Sequence, residues 1–281
     1  MTMTAFAVAP SARTNAGSAP PISAFFSQNA ELRQAVAAAD PPLPPPPHPT
    51  PRQSALMREY NRLGGLIARI AGITGVPLPV ALAIWFLESS GRVLVHNQAI
   101  IRFEVHHFWS AWGHANAAAF DAHFRFGGHC GCSGHPWEGH AWRDADGPFA
   151  PVHSGQSAEY AALRTAMRLA GEEDAVRCLS IGGCQLLCCD YPRLGYASAL
   201  AMYNAFQASE NAQVLGFFDF CAHQPTPRPG ELLAWLRDRD FASFAHFYNG
   251  GGEVAAYAAK LKAVVADAEA LLRQPAQHPP S

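Results

Sequence analysis

The sequence has little charge. Asp, Glu, Lys and Arg make up 15% of its 281 residues, and the formal net charge is -2. That scarcity excludes a protein that grips nucleic acid through a basic surface, which needs an excess of Lys and Arg to displace counterions. Long apolar runs are missing as well. No stretch reaches the roughly 18 apolar residues that mark a membrane-spanning helix. Disorder along the whole chain is excluded in turn, because 49% of the residues are hydrophobic. The cysteines number seven, an odd count that forbids complete internal pairing. Their placement suits a protein made and kept reduced in the cytoplasm. The N-terminus lacks a basic start followed by a continuous apolar stretch, so synthesis without a Sec signal is expected.

Proline and histidine, by contrast, are plentiful and unevenly placed. Eleven of the 23 prolines lie in residues 1–51, together with only four charges, Arg13, Glu31, Arg33 and Asp40. The run from Pro41 to Pro49 favours an extended polyproline II spacer. Residues 1–51 are therefore expected to be a disordered tail and linker, with one short helix possible around Ser27–Ala39. Residues 52–273 are expected to form one mostly helical domain, and 274–281 a disordered C-terminal tail. Leu56, Tyr60, Leu63, Ile67 and Ile70 recur at helical spacing. Val80–Glu88 reads as a buried helix ended by Gly91, and Ile100–Glu104 as a short strand. Residues 110–156 have weak periodicity and read as irregular. Helical patterns return at Ala158–Leu169, Glu172–Ser180, Ala197–Phe220, Gly230–Arg237, Asp240–Phe247 and Val254–Leu272.

The chemistry points to Glu88. It closes the almost wholly apolar segment Val80–Leu87. Desolvation disfavours a carboxylate, and the C-terminal end of a helix dipole pushes the same way. A carboxylic acid that stays protonated near neutral pH is what general-acid cleavage of a glycosidic bond requires. The alternative is that Glu88 is only the first exposed residue after a buried helix. Glu104 is a second carboxylate, flanked by Phe103 and by Phe108-Trp109. It could stabilise positive charge or activate water, or it could be a structural carboxylate that anchors loop amides or a histidine.

Five ordered segments carry a resemblance. They are Glu88-Ser89-Ser90-Gly91, Ile101–Trp109 with Phe103-Glu104-Val105-His106, Ser157–Tyr160, Ser180–Leu187 with Gly182 and Gln185, and Asp240–Gly250 with Tyr248 and Asn249. Through these segments residues 78–272 resemble the N-acetylmuramidase domain of phage endolysins, in the lysozyme-like superfamily. The resemblance implies a mostly α, lysozyme-like domain with a cleft, no cofactor and no metal. It implies cleavage of the peptidoglycan glycan strand at the β-1,4 bond after N-acetylmuramic acid, with Glu88 as general acid and Glu104 as the second catalytic candidate. Ser89, His106, Gly182, Gln185, Tyr248 and Asn249 become candidate substrate-binding positions. The sequence departs from the usual pattern at Ser90, normally Gly, at Ile181, normally Trp, near Cys184, normally aromatic, and at Leu186-Leu187, normally Ile-Met. Those departures bear on substrate fit more than on the reaction class.

Nine of the 13 histidines fall between His96 and His153. The string His129–His140 mixes Cys and His, but its Cys130-Gly131-Cys132 spacing is tighter than that of a zinc ribbon, and no second pair matches it. It reads as a polar insertion beside the cleft, with a metal site as the competing reading. The expected partner is peptidoglycan at the cell wall. The N-terminal tail could add a phage-tail or secretion machine that delivers the enzyme. The competing functions are a lytic transglycosylase and a non-catalytic peptidoglycan-binding module on the same scaffold.

Overall fold

The computed structural model describes residues 24–130 and 134–273. The expectations for residues 1–23 and 274–281 therefore lie outside the described residues. In chain order the helices are α1 (Ala30–Arg33), α2 (Pro51–Thr74), α3 (Leu78–Ser89), α4 (Val105–Ala111), α5 (Ala117–His123), α6 (Gly127–Cys130), α7 (Gln156–Ala170), α8 (Glu172–Val176), α9 (Ala199–Ala208), α10 (Glu210–His223), α11 (Glu231–Asp238), α12 (Phe241–Asn249) and α13 (Val254–Leu272). The strands are β1 (Leu94–Val95), β2 (Gln98–Ala99), β3 (Ile101–Phe103), β4 (Phe124–Arg125), β5 (Ala141–Trp142), β6 (Ala150–Pro151), β7 (Leu179–Ile181) and β8 (Leu186–Leu187). The mostly α expectation holds. By their contacts the described residues divide into two compact units, one running to Gly91 and resuming at Val214, the other Arg92–Gln213.

The first unit is a helical core around α3. Thr50 starts α2 with a capping box to Gln53, and Pro51 sits in its first turn, where a missing N–H costs nothing. Gly75 ends α2 in the left-handed conformation, at φ 70°. Leu56, Leu63, Ile67 and Ile70 form the buried stripe of α2. Val80 to Trp85 of α3 are buried without a break, as the apolar run predicts for a helix covered on all sides. Helices α2 and α13 both pack on α3. Leu261, Val264, Ala268 and Leu271 supply the face of α13.

Residues 24–50 correct the expectation of a disordered tail. Phe26 and Leu32 are buried, and Ala39 donates its N–H to the Asn61 carbonyl of α2 at 3.1 Å. The anchor is Asp219 of α10, whose carboxylate accepts the N–H groups of Phe26 at 2.6 Å and Ser27 at 2.8 Å. Burial pushes this carboxyl up to about 7, although the amides and the Ser27 hydroxyl favour its ionised form. Asp219→Ala leaves two buried amides without an acceptor. The expected cost is about 1–3 kcal/mol per orphaned donor. Limited proteolysis should then cut within residues 24–50 of the variant while sparing the same residues in the parent protein.

The second unit is built on a three-stranded antiparallel sheet in the order β3-β7-β8. Ile101 faces Ile181, and Phe103 faces Leu179. Helix α7 packs on β3. The 110–156 region is more regular than its weak periodicity suggests. It contains α5 and a second antiparallel sheet, β4-β5-β6. Phe103, Phe108, Phe120 and Phe124 form a buried aromatic cluster there, with ring centroids 5.3–6.0 Å apart. The helix expected over Ala197–Phe220 is two helices. Ser209 is extended between them, and Ser favours a cap over a helix interior.

Candidate active site

Glu88 sits one residue from the end of α3. The helix stops because Ser90 adopts the left-handed conformation at φ 52°, followed by Gly91 at φ 65°. The carboxyl is half-buried. Oε1 accepts the Tyr257 hydroxyl of α13, and the Tyr248 hydroxyl of α12 is a second donor. Burial dominates and raises the Glu88 pKa above 4.5, while Tyr257, then Tyr248, then the Lys260 charge restrain the rise. The aromatic floor is stacked. Tyr248 lies over Phe244 with centroids 5.1 Å apart, and edges of Phe217 and Phe220 meet Tyr248 at 6.2 and 5.9 Å. Cys221 is buried near Glu88, and burial together with that charge holds its thiol well above 9.0. A thiol held in that form is not a nucleophile.

The position of α3 is fixed from below. Trp85, fully buried one turn before Glu88, donates its indole N–H to Glu59 Oε1 at 2.6 Å. Glu59 is itself buried on α2 and is paired with Arg62. A buried carboxylate with two charge-assisted partners stiffens the joint between the two helices.

Tyr257 gives a test of how Glu88 is tuned. Its hydroxyl favours the ionised form of the Glu88 carboxyl. In Tyr257→Phe the Glu88 pKa should rise further, because a donor that favours the anion is removed. The basic limb of the activity profile should move to higher pH. The maximal rate should fall roughly tenfold, for a charge-assisted hydrogen bond of about 1.5 kcal/mol. An unchanged limb would show that Tyr257 does not act on the working acid.

The other expected site residues divide between the units. Tyr248 joins Glu88 in the first unit. Asn249, half-buried, ends α12 there just before left-handed Gly250. Ser89 is also in the first unit but turns inward: it is 2% exposed, and its Oγ accepts the Gly91 N–H at 3.2 Å. Glu104, His106, Gly182 and Gln185 belong to the second unit. Gly182 needs its φ of 82°, and a Cβ there would lie 2.7 Å from Gln213 Oε1. Its close approach is thus used by a protein side chain. Gln185 is exposed and left-handed at φ 51°, and its amide donates to the Gly182 carbonyl at 2.7 Å.

Glu104 follows β3 as the residue before α4. Its Oε1 accepts Arg102 Nε at 2.7 Å, and its Oε2 lies 3.7 Å from Nδ1 of both His106 and His140. Burial holds His106 and His140 down to about 4, so both rings are neutral at physiological pH. The surroundings of Glu104 match the structural-carboxylate alternative better than a carboxylate facing substrate. Among the described residues of the His129–His140 string, the histidines have separate partners. His129 pairs with Asp121 at 2.7 Å and stacks on Phe126, while His135 stacks on Trp137.

A family model described as N-acetylmuramidase matches residues 77–269, more than half of the chain. The chain belongs to the N-acetylmuramidase family. The muramidase domain therefore spans α3 through α13, with Glu88, Glu104, Gln185 and Tyr248 all inside it. It is a glycoside hydrolase that acts on cell-wall peptidoglycan. No curated protein matches the chain. Among solved structures it is similar to the crystal structure of the Burkholderia AP3 phage endolysin. The identity is 24%, the TM-score is 0.54, and the match covers 79% of this chain and 74% of that one. At that identity the likeness supports the fold. Among the described residues no single helix is long and apolar enough to cross a membrane.

Tyr257 and Lys260 are the residues that sequence reasoning missed as site members. Tyr257 falls inside the helical pattern read over Val254–Leu272. Its phenol oxygen was the available signal, since a buried tyrosine hydroxyl needs a partner.

Proposed function

We propose that this muramidase cleaves the β-1,4 glycosidic bond that follows N-acetylmuramic acid, with Glu88 as the general acid. The supporting observation is a carboxyl whose pKa burial raises, at the end of an apolar helix, with two tyrosine hydroxyls contacting it. Glu88 gives its proton to the glycosidic oxygen as the bond breaks and an oxocarbenium-like centre forms on the sugar. Tyr257 and Tyr248 then hold the new carboxylate, so the acid is strong enough to donate and is not stranded as a buried anion. Ser89 supports the turn after Glu88, and Asn249 ends the helix that carries Tyr248. We assign Glu104 no chemical step, because its oxygens face Arg102 and imidazoles.

The endolysin neighbour supports a lytic role. We place the enzyme's action at the wall after release by a phage or injection by a tail or secretion machine. Mass spectrometry of digested peptidoglycan tests the bond assignment. Fragments with a reducing N-acetylmuramic acid end are expected. Reducing N-acetylglucosamine ends would refute the bond, 1,6-anhydro ends would identify a transglycosylase, and binding without fragments would identify a binding module.

A further inference from the structure

Glu104, His140 and His153 bring one carboxylate oxygen and two ring nitrogens within 4.8 Å of one another. The contacts on the outer side of each ring decide which atoms face inward. Nε2 of His140 lies 3.0 Å from the Pro136 carbonyl. A carbonyl only accepts, so this nitrogen carries the proton and Nδ1 carries the lone pair. Nδ1 of His153 lies 2.8 Å from the Glu159 carboxylate, which places the proton there and the lone pair on Nε2. Those two lone-pair nitrogens face each other at 2.8 Å. The Glu104 oxygen that Arg102 does not use is 3.7 Å from Nδ1 of His140.

Three electron pairs thus converge, and electron pairs at that distance repel unless a cation joins them. A shared proton would serve one pair of atoms and would place an imidazolium against the fully buried His140 side chain. A divalent ion serves all three atoms at once. We propose that Glu104, His140 and His153 form a structural zinc-type site.

Two imidazoles and one carboxylate are a ligand set that zinc accepts, with water in the fourth position. Nδ1 of His106 lies 3.2 Å from the protonated Nε2 of His140, on the outer side of that ring, and so belongs to the surrounding hydrogen bonds. Glu159 behind His153 and the Pro136 carbonyl behind His140 supply the outer hydrogen bonds that orient metal-binding histidines. Glu159 is itself fixed, because its other oxygen accepts the Phe103 N–H at 2.8 Å. The site would tie together the end of β3, the approach to β5 and the short helical turn before α7. This gives the histidine-rich stretch a purpose, and it makes Glu104 a ligand rather than a reactant.

The test uses the full chain, purified without a polyhistidine tag, stripped with a chelator and given zinc alone. About one zinc per chain should survive gel filtration. The thermal midpoint should rise by about 5–10 °C at zinc concentrations near a hundred times the dissociation constant, and magnesium should give no rise. Cobalt(II) in place of zinc should show visible d–d bands and no thiolate charge-transfer band. His140→Asn and His153→Asn should lose the metal, whereas Cys130→Ser with Cys132→Ser should keep it. No stoichiometric zinc, a thiolate band, or metal lost with the cysteines and kept without the histidines would each overturn the proposal. The cobalt spectrum is read on the parent protein, so misfolding of a variant does not protect the proposal.

Discussion

Trp85→Ala is expected to cost about 3–5 kcal/mol, from the lost indole and the cavity it leaves. Total stability in domains of this kind is only about 5–15 kcal/mol, so the loss approaches unfolding. The site explains the size of the effect. Trp85 is fully buried, meets Phe217 edge-on at 6.0 Å and is a donor to the buried Glu59. Trp85→Phe separates the two contributions. It keeps most of the apolar contact and removes the indole donor, so about 1–3 kcal/mol should remain. Urea unfolding checks both variants: the midpoints should fall in that order with the slope unchanged. Activity should fall in Trp85→Phe even where the protein stays folded, because Glu59 and Trp85 hold the helix that ends in Glu88.

The half-buried carboxyl of Glu88, the acid we propose, was legible in the sequence because its signal is local. An uninterrupted apolar run that ends in Glu88, Ser90 and Gly91 gives the helix, its burial and its stop within a dozen residues. The partners of Glu88 were not legible. Tyr257 lies 169 residues away, and its phenol reads as one more residue of a buried stripe until the fold places it on the carboxyl. The N-terminal segment shows the same limit. Its composition favours disorder, yet a single carboxylate 193 residues away, Asp219, supplies the acceptor that its amides need. The histidines mislead in the opposite way. Their density draws attention to the contiguous string His129–His140, whereas the structure joins His140 to His153 and to Glu104. Metal-ligand spacing rules read neighbours along the chain, and this cluster forms only after β3, β5 and the turn before α7 are in place.

Glu88→Gln is expected to lower glycan cleavage by about 10²–10⁴-fold, the usual contribution of a positioned general acid. The amide matches the carboxyl in shape and can still accept from Tyr257, so the thermal midpoint should stay close to that of the parent. It has no proton acidic enough to give to the leaving oxygen. Glu88→Asp should retain a small part of the activity, because the shorter side chain keeps a carboxylic acid but draws it back from the bond. The decisive measurement is the initial rate of new reducing ends from purified peptidoglycan, with parent enzyme and Glu88→Gln compared at equal concentration and after their thermal midpoints have been matched. The account predicts a folded Glu88→Gln protein that releases reducing ends at least about a hundredfold more slowly. A folded Glu88→Gln protein that cleaves at the parent rate would contradict it.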